Sequence, residues 1–471
     1  MTKDKIRFPS AIPYIIGNEA AERFSFYGMR AILTVFLVSQ FYNPTSDPAL
    51  TQAANAHANE KTHFFNTLVY FLPILGGFIA DWYWGKYKTI LYLSLVYCAG
   101  NLCLALFHTN IDMFSLGLLL IAIGSGGIKP CVSANVGDQF DETNKALLPK
   151  AFSLFYFSIN FGSFFSTLLI PLVLKYYGPA WAFGIPGILM LLATLIFILG
   201  SRKYVKVPAS GFKKENFISI NFFMLKKLFS KPKGQSLYSI AASKYSLQSV
   251  DGIKAVWKIM AVFAFVPFFW MLNDQNSSEW VLQASKMDLH FMGVNWLASQ
   301  VQVANPILVL LYIPLFNYVL YPFIEKLGIN FNAYRKIGTG FILSVISFIV
   351  IWQIQLVIDK GGAPSIGWQF LGYIIISAAE VMVYQTGLEY AYTQAPASMK
   401  STIMSFWLLT IALGNILVSA VNSNIASGGI FSKLSGAQYY LFFTILMAAV
   451  SSVYIIVSRK FKESNSTQNT V

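Results

Sequence analysis

Ionisable side chains set inside long apolar stretches are the residues of this sequence most able to do chemistry. Between residues 10 and 41 stand Glu19, Glu22, Arg23, Phe26, Tyr27 and Arg30. Their spacing of threes and fours puts all six on one stripe of a helix. Glu19 and Glu22 each come within reach of Arg23, and Arg30 stacks one turn past Tyr27. Each charge deep in hydrocarbon costs at least about 2.5–3.5 kcal/mol on insertion scales, so the stripe must face a polar cavity or a partner helix. An ion-pair network that only fixes packing is the plainer alternative. His63, Lys129, Asp274 and Glu380 interrupt later apolar stretches. Lys129 lies in Gly124-Ser-Gly-Gly-Ile-Lys-Pro130, where glycines allow close helix contact and the proline frees a carbonyl. It needs an anionic partner or an anionic substrate. Glu380 has no cation within one turn on its own helix and suits a cationic group; a protonated carboxyl bonded to a neighbouring helix is the alternative. His63 reads as either a surface histidine or a proton relay. Cations in the first half (Arg23, Arg30, Lys129) facing an anion in the second (Glu380) suit a zwitterion with separated ends, and a peptide is one. Tyr27, Tyr70, Trp270, Trp280 and Trp407 would wall such a site.

The elements that must hold these residues follow from composition. Of 471 residues, 56% are hydrophobic and only 11% charged, against about a quarter charged in soluble domains. Too few polar residues exist to cover a surface in water, which excludes a cytosolic enzyme, a nucleic-acid-binding protein and a disordered scaffold. Stretches 89–107, 180–200, 338–358 and 439–458 are uncharged for 18 or more residues and read as membrane spans. Helices are the default there, since lipid cannot satisfy free backbone groups. Around them the pattern predicts an all-α membrane protein of twelve transmembrane helices, at 10–41, 60–84, 88–108, 113–137, 150–175, 180–201, 255–283, 300–327, 333–358, 366–394, 398–424 and 436–458. Cys98, Cys103 and Cys131 form no disulfide framework and read as packing residues.

The net charge of +14 suggests an anionic partner until its distribution is read. Of the 34 Lys and Arg, 26 fall on the side holding both termini and the 202–258 connection, and five (Lys61, Lys175, Lys286, Lys360, Lys433) on the other. The positive-inside rule then makes both termini cytoplasmic. The basic connection divides the chain into a six-helix bundle at 1–201, a cytoplasmic linker at 202–254 and a second six-helix bundle with a short tail at 255–471. Within the linker, 217–229 mixes apolar residues with lysines and could lie along the membrane surface, though a simple tether is the plainer reading. Two six-helix halves suit a transporter with its site between them. No metal-ligand spacing, G-x-S-x-G motif or phosphate-binding glycine loop is found, so no catalytic residue, metal or cofactor is expected.

At these residues the chain resembles the proton-dependent oligopeptide transporters of the major facilitator superfamily. Glu19-Ala-Ala-Glu22-Arg23-Phe24-Ser-Phe26-Tyr27-Gly28 resembles that family's E-x-x-E-R-F-x-Y-Y-G, with Phe26 in place of the first tyrosine. Phe155-Tyr156-Phe-Ser-Ile-Asn160-Phe-Gly162-Ser163 resembles its fifth-helix signature, and Gly77-Phe-Ile-Ala-Asp81-Trp-Tyr-Trp-Gly85-Lys86 the superfamily's loop between helices two and three. His63, Asp274-Gln275 and Gln394-Ala-Pro396…Met399-Lys400-Ser401…Trp407 resemble the animal branch and its bacterial relatives. Glu279 and Asn317 depart from it, standing where animal members pair an arginine with an aspartate, so a gate salt bridge there is not expected.

The resemblance implies roles at matched positions. Tyr27, Arg30 and Lys129 would hold a peptide carboxylate; Asn160, Asn305 and Glu380 its amino end; Tyr70, Trp280 and Trp407 the side-chain pockets. Glu19, Glu22, Arg23, His63 and Asp274 would couple protons, and Gly77, Asp81, Gly85 and Lys86 would serve a gate. The expected activity is import of di- and tripeptides with protons as coupling ion, by a monomer in the cell (inner) membrane with no nucleic-acid partner and no enzymatic step. A same-fold carrier of nitrate or another small anion is the alternative, and Glu380 discriminates against it.

Overall fold

Asp47 and Asn110 open two of the membrane helices by the same device: a side-chain oxygen caps backbone N–H groups left free by the first turn. Asp47 Oδ1 accepts from Ala49 N at 2.8 Å, and Asn110 Oδ1 from the N–H groups of Asp112 and Met113 at 3.0 Å. In the computed structural model, which describes residues 7–42, 47–209, 211, 215–230, 235–394 and 400–459, nearly every element is helical. Lys3, Lys5, Lys460 and Lys462 of the charge count, Pro232 and Gly234 of the linker, and Pro396 and Met399 of the motif after the tenth helix lie outside the described residues.

The first half comprises α1 (Ile12–Leu37), α2 (Pro48–Ile79), α3 (Gly85–Leu106), α4 (Ile111–Asp138), α5 (Leu148–Tyr177) and α6 (Pro179–Leu199). The linker carries α7 (Phe217–Lys227) and α8 (Leu237–Ala242). In the second half the seventh crossing is broken into α9 (Leu247–Phe263), α10 (Val266–Asn273) and α11 (Glu279–Ala284); α12 (Ala304–Leu315) and α13 (Tyr321–Lys326) make the eighth. Then follow α14 (Ala333–Asp359), α15 (Gly367–Glu380) with α16 (Thr386–Gln394), α17 (Lys400–Ala426) and α18 (Ala437–Ser458). A two-residue hairpin, β1 (His290–Phe291) and β2 (Val294–Asn295), joins α11 to the eighth crossing.

Twelve crossings emerge from these pieces among the described residues. Ten helices are long and apolar enough to span, and the pair Leu247–Phe263 and Val266–Ala284, bent by 43°, makes another. One of the ten runs 58 residues, Ala49–Leu106. At 1.5 Å per residue it would be about 87 Å long, roughly three times the thickness of a hydrocarbon core. It is therefore two crossings, and it folds back at Gly85, whose φ of 73° lies in the left-handed region where side chains are strained. A Cβ there would also crowd the Val207 carbonyl at the head of the linker.

Each half buries its own apolar cluster. In the first, Phe36, Phe114 and Phe183 stack within 4.9–5.3 Å of one another. In the second, Phe341, Phe348, Tyr440 and Tyr454 fill the core. α2 meets α4 so closely that a Cβ on Gly76 would run into Gly127, the small-residue contact expected where lipid offers no hydrophobic drive to association. The opposite faces turn Leu191, Leu192, Leu195, Ile342, Ile346 and Ile349 outward, as lipid-facing surfaces do.

Candidate functional site

The α1 stripe turns inward, away from lipid. Glu19 and Glu22 are buried, and Arg23 Nε lies 2.7 Å from Glu19 Oε1 and 3.3 Å from Glu22 Oε2. Ser125 Oγ, from α4, donates to Glu22 Oε1 at 3.4 Å. One guanidinium thus serves two carboxylates, which leaves Glu22 the weaker-held of the pair.

Lys129 comes off α4 toward the same stripe. Its Nζ is buried with no hydrogen-bond partner among the described residues and sits 4.1 Å from the Phe26 ring centroid and 4.7 Å from that of Tyr70. Phe26 keeps the π face a tyrosine would offer, and it supports the ammonium by cation–π attraction, worth about 2 kcal/mol when desolvated. The cation keeps all three protons for another acceptor.

A second polar chain crosses between the halves. Arg30 Nη2 lies 3.2 Å from Asp274 Oδ1. Asn415 Nδ2 donates to Asp274 Oδ2 at 2.5 Å, so its amide oxygen faces the other way, 2.8 Å from His63 Nδ1. His63 Nε2 lies 2.8 Å from Ser278 Oγ. All five residues are buried. The orientation of Asn415 assigns a proton to Nδ1 of His63. Nε2 can then accept from the Ser278 hydroxyl, or donate to it when the ring is charged, since that hydroxyl also reaches the Gln275 carbonyl at 3.5 Å. His63 is therefore no surface histidine. It is joined to Asp274 through Asn415.

Glu380, on α15, faces the same centre. Asn305 Nδ2 donates to its Oε2 at 2.7 Å and to Ser377 Oγ at 3.1 Å, and Asn273 is a further hydrogen-bond partner of the carboxylate. A wide π-helical turn, Val381–Gln385, follows Glu380 directly; such turns cluster at functional sites. Two others hold Asp81 (Ala80–Trp84) and Asn317 (Phe316–Leu320). Tyr156 and Tyr384 are 38% and 39% exposed.

Other expected site residues are placed less centrally. Asn160 donates to its own helix, at Tyr156 O (2.9 Å). Trp280 is fully buried against Tyr373 and Phe348, in the second half's core. Trp407 is also fully buried and meets the centre only through Tyr384, 5.9 Å away between ring centroids. Of the gate set, Lys86 Nζ binds both carboxylate oxygens of Asp138 at 2.7 and 2.9 Å, the Asp81 carbonyl accepts from Gly211 N, and a Cβ on Gly77 would meet open space. Glu279 pairs with Asn59 of the first half. Asn415, Ser278 and Tyr384 escaped the sequence reading, and Tyr156 entered it only within the fifth-helix signature, without a role. An asparagine in the middle of an apolar helix was the available signal for Asn415.

Contacts between the halves gather at the end remote from the N-terminus. Besides Asn59–Glu279, Gln52 Nε2 donates to the carbonyls of Ser432 and Leu434, Ser419 Oγ to that of Glu60, Gln302 Nε2 to that of Ala31 and Gln300 Nε2 to that of Leu168. The molecule is closed at that end.

Residues 87–434 match the family model described as PTR2, POT family. Solute carrier family 15 member 2 of Homo sapiens is 37% identical over 410 residues, 81% of this chain and 54% of that protein. Peptide transporter family 2 of Caenorhabditis elegans is 37% identical over 391 residues, covering 75% and 48%. The chain thus spans about half the length of these curated relatives. Among solved structures, an auto-inhibited POT family peptide transporter superposes with a TM-score of 0.91 at 37% identity, over 98% of this chain and 99% of the other. The POT family transporter PepTSo gives 0.87 at 39%, over 97% and 100%.

Proposed function

The chain belongs to the POT family and has its major facilitator fold, and on that premise we propose that it is a proton-coupled symporter importing di- and tripeptides by alternating access. The observation that carries this reading is a buried cation of the first bundle, Lys129, with no hydrogen-bond partner among the described residues, together with the Glu380 carboxylate of the second bundle. A peptide's carboxylate would meet Lys129 and Tyr27, with Arg30 joining once it leaves Asp274. Its ammonium would meet Glu380 and Asn305, with Asn160 nearby. Tyr70, Tyr156 and Tyr384 would flank its side chains, with Trp280 and Trp407 packed behind. Nitrate would face the Glu380 carboxylate with like charge. Backbone-directed binding of this kind favours broad peptide selection.

Protons enter through the two buried networks. A proton on Glu22 weakens its hold on Arg23. A proton on Asp274 or His63 weakens the Arg30–Asp274 pair that ties the halves together, and it frees Arg30 for the peptide. Protons are the coupling ion and no other cofactor is required, and the chain acts as a carrier with no enzymatic step. One proton crossing about 100 mV supplies about 2.3 kcal/mol, which sustains a peptide gradient of roughly 50-fold at 1.4 kcal/mol per decade. The working unit is a monomer in the cell (inner) membrane, with both termini cytoplasmic and the closed end outside. The Gly77–Lys86 loop and the Lys86–Asp138 pair serve the cytoplasmic gate.

Proteoliposomes test the reading. Acid outside and an inside-negative potential should drive uphill uptake of labelled dialanine. Glu22→Gln should abolish accumulation while leaving counterflow exchange intact; uphill uptake by that variant would remove Glu22 from coupling. Absence of any dipeptide flux in the unaltered protein would overturn the function itself.

A further inference from the structure

At the outer end, between the halves, lies a half-open cleft of about 630 Å³ that the central site does not use. That is the size of ordinary small-molecule pockets. It is built by both halves: α2 contributes Gln52 and Asn59, while the second half contributes Glu279, Lys286, Asp359 and Tyr439. One of its polar groups, beside a carboxylate, lacks a donor among the described residues. Asn59 is 1% exposed, and its Oδ1 has no hydrogen-bond partner although its Nδ2 binds Glu279. Glu279 has no salt-bridge partner among the described residues. Asp359, by contrast, is occupied by Gln355 Nε2 and Ala437 N. Glu279 accepts from Asn59 and has Lys286 of the same lining as its countercharge, but the buried Asn59 oxygen is left unpaired, which is costly, and beside a carboxylate it suits a cationic donor.

We propose that this cleft is a second, regulatory site for a primary ammonium group, held by Glu279 and Asn59, and that its occupation keeps the outer face closed. The sign follows from construction. Asn59 and Glu279 belong to different halves, so outward opening takes the site apart. A ligand that binds only the closed form must favour it, by about elevenfold at ten times its Kd. The ammonium can come from a small amine or from the amino end of a peptide at high outside concentration; in the second case the transporter is inhibited by its own substrate.

The probes are 1,4-diaminobutane, excess unlabelled dialanine and N-acetyl-dialanine, added outside proteoliposomes taking up labelled dipeptide. Diamine should lower the maximal rate rather than compete with peptide, and Glu279→Gln should require at least tenfold more diamine for the same inhibition. If diamine is silent but dialanine, unlike its acetylated form, lowers the rate at high concentration in a Glu279-dependent way, the peptide amino end is the ligand. Equal inhibition of the unaltered protein and Glu279→Gln by both amines, or inhibition by neither, overturns the proposal. Thermal unfolding of the purified protein gives a readout independent of transport. Diamine should raise the midpoint of the unaltered chain and leave Glu279→Gln unmoved, with both variants alike without ligand. A shift of the same size in both variants also overturns it.

Discussion

At the scale of single residues, what matters is which polar atoms are paired and which are left waiting. Asn415 decides this for the cross-bundle chain, because its amide has opposite ends on Asp274 and His63. Asn415→Leu removes both bonds while keeping a side chain of the same branched four-atom shape. Asp274 keeps Arg30 but loses its second partner, and the His63 ring loses the acceptor that fixes its tautomer. Stability should drop by about 1–3 kcal/mol, the range for buried polar groups left unpaired. A merely structural residue would do no more. A coupling residue would also shift the pH profile of uptake, and Asn415→Asp would shift it differently by adding a carboxylate beside His63. Profiles of both variants that overlay the unaltered one would confine Asn415 to packing. The sequence made the charged members of this chain legible, since charges in hydrocarbon stand out by cost alone. It left Asn415 and Ser278 unread, because a single asparagine or serine in a span has many uses and only coordinates supply its partner. Phe26 is the converse case. It read as a lost hydroxyl, whereas the fold turns its ring to Lys129.

At the scale of elements, twelve spans were legible from hydropathy, but their breaks were not. The stretch expected as one helix at 255–283 begins at Leu247 and is bent by 43° between Phe263 and Val266. Pro267 opens α10 at its second position, where its missing N–H costs nothing. The break lets α10 present Asp274 to α1 while α11 turns Glu279 toward α2. Hydropathy cannot show such a bend, because apolar content is continuous through it. The α2–α4 contact was partly legible in the glycines of Gly124–Gly127. A Cβ on Gly127 would overlap the Leu93 side chain, and one on Gly126 would press on Leu72. Gly127→Val should therefore push α4 from its neighbours, at a cost of about 1–3 kcal/mol for overpacking, and displace Lys129 two residues on. The measurement is the unfolding midpoint together with dipeptide affinity. Loss of affinity without loss of stability would mean that the helix shifts as a rigid piece. An unchanged midpoint and unchanged affinity would show that α3 and α4 have room for the added side chain beside Leu93.

At the scale of the whole molecule, two bundles are joined at one end by polar contacts, through the middle by Arg30–Asp274 and the His63 bonds to Asn415 and Ser278, and by the packing of α2 on α17. Halves built this way can rock, because the bonds that close them are few and largely side chain to backbone. Each is worth about 0.5–1.5 kcal/mol net, so together they are of the size that one proton and one peptide can reverse. If alternating access is the cycle, tethering the closed end must stop transport. Gln52 and Ser432 suit the test, since the Gln52 amide reaches the Ser432 carbonyl at 3.1 Å across the seam. A contact spanned by a whole glutamine side chain holds the backbones too far apart for a direct disulfide, which needs Cα atoms within about 7 Å. A short bis-methanethiosulfonate, which joins the two cysteines through reducible disulfides, is the suitable link. With Cys98, Cys103 and Cys131 replaced by serine, the pair Gln52→Cys and Ser432→Cys should transport dipeptide until cross-linked. It should then lose more than nine-tenths of its uptake and regain it when the link is reduced. Each single-cysteine protein treated alike should be unaffected. Undiminished uptake by the cross-linked pair would mean that the outer seam never opens and that peptide enters by another path.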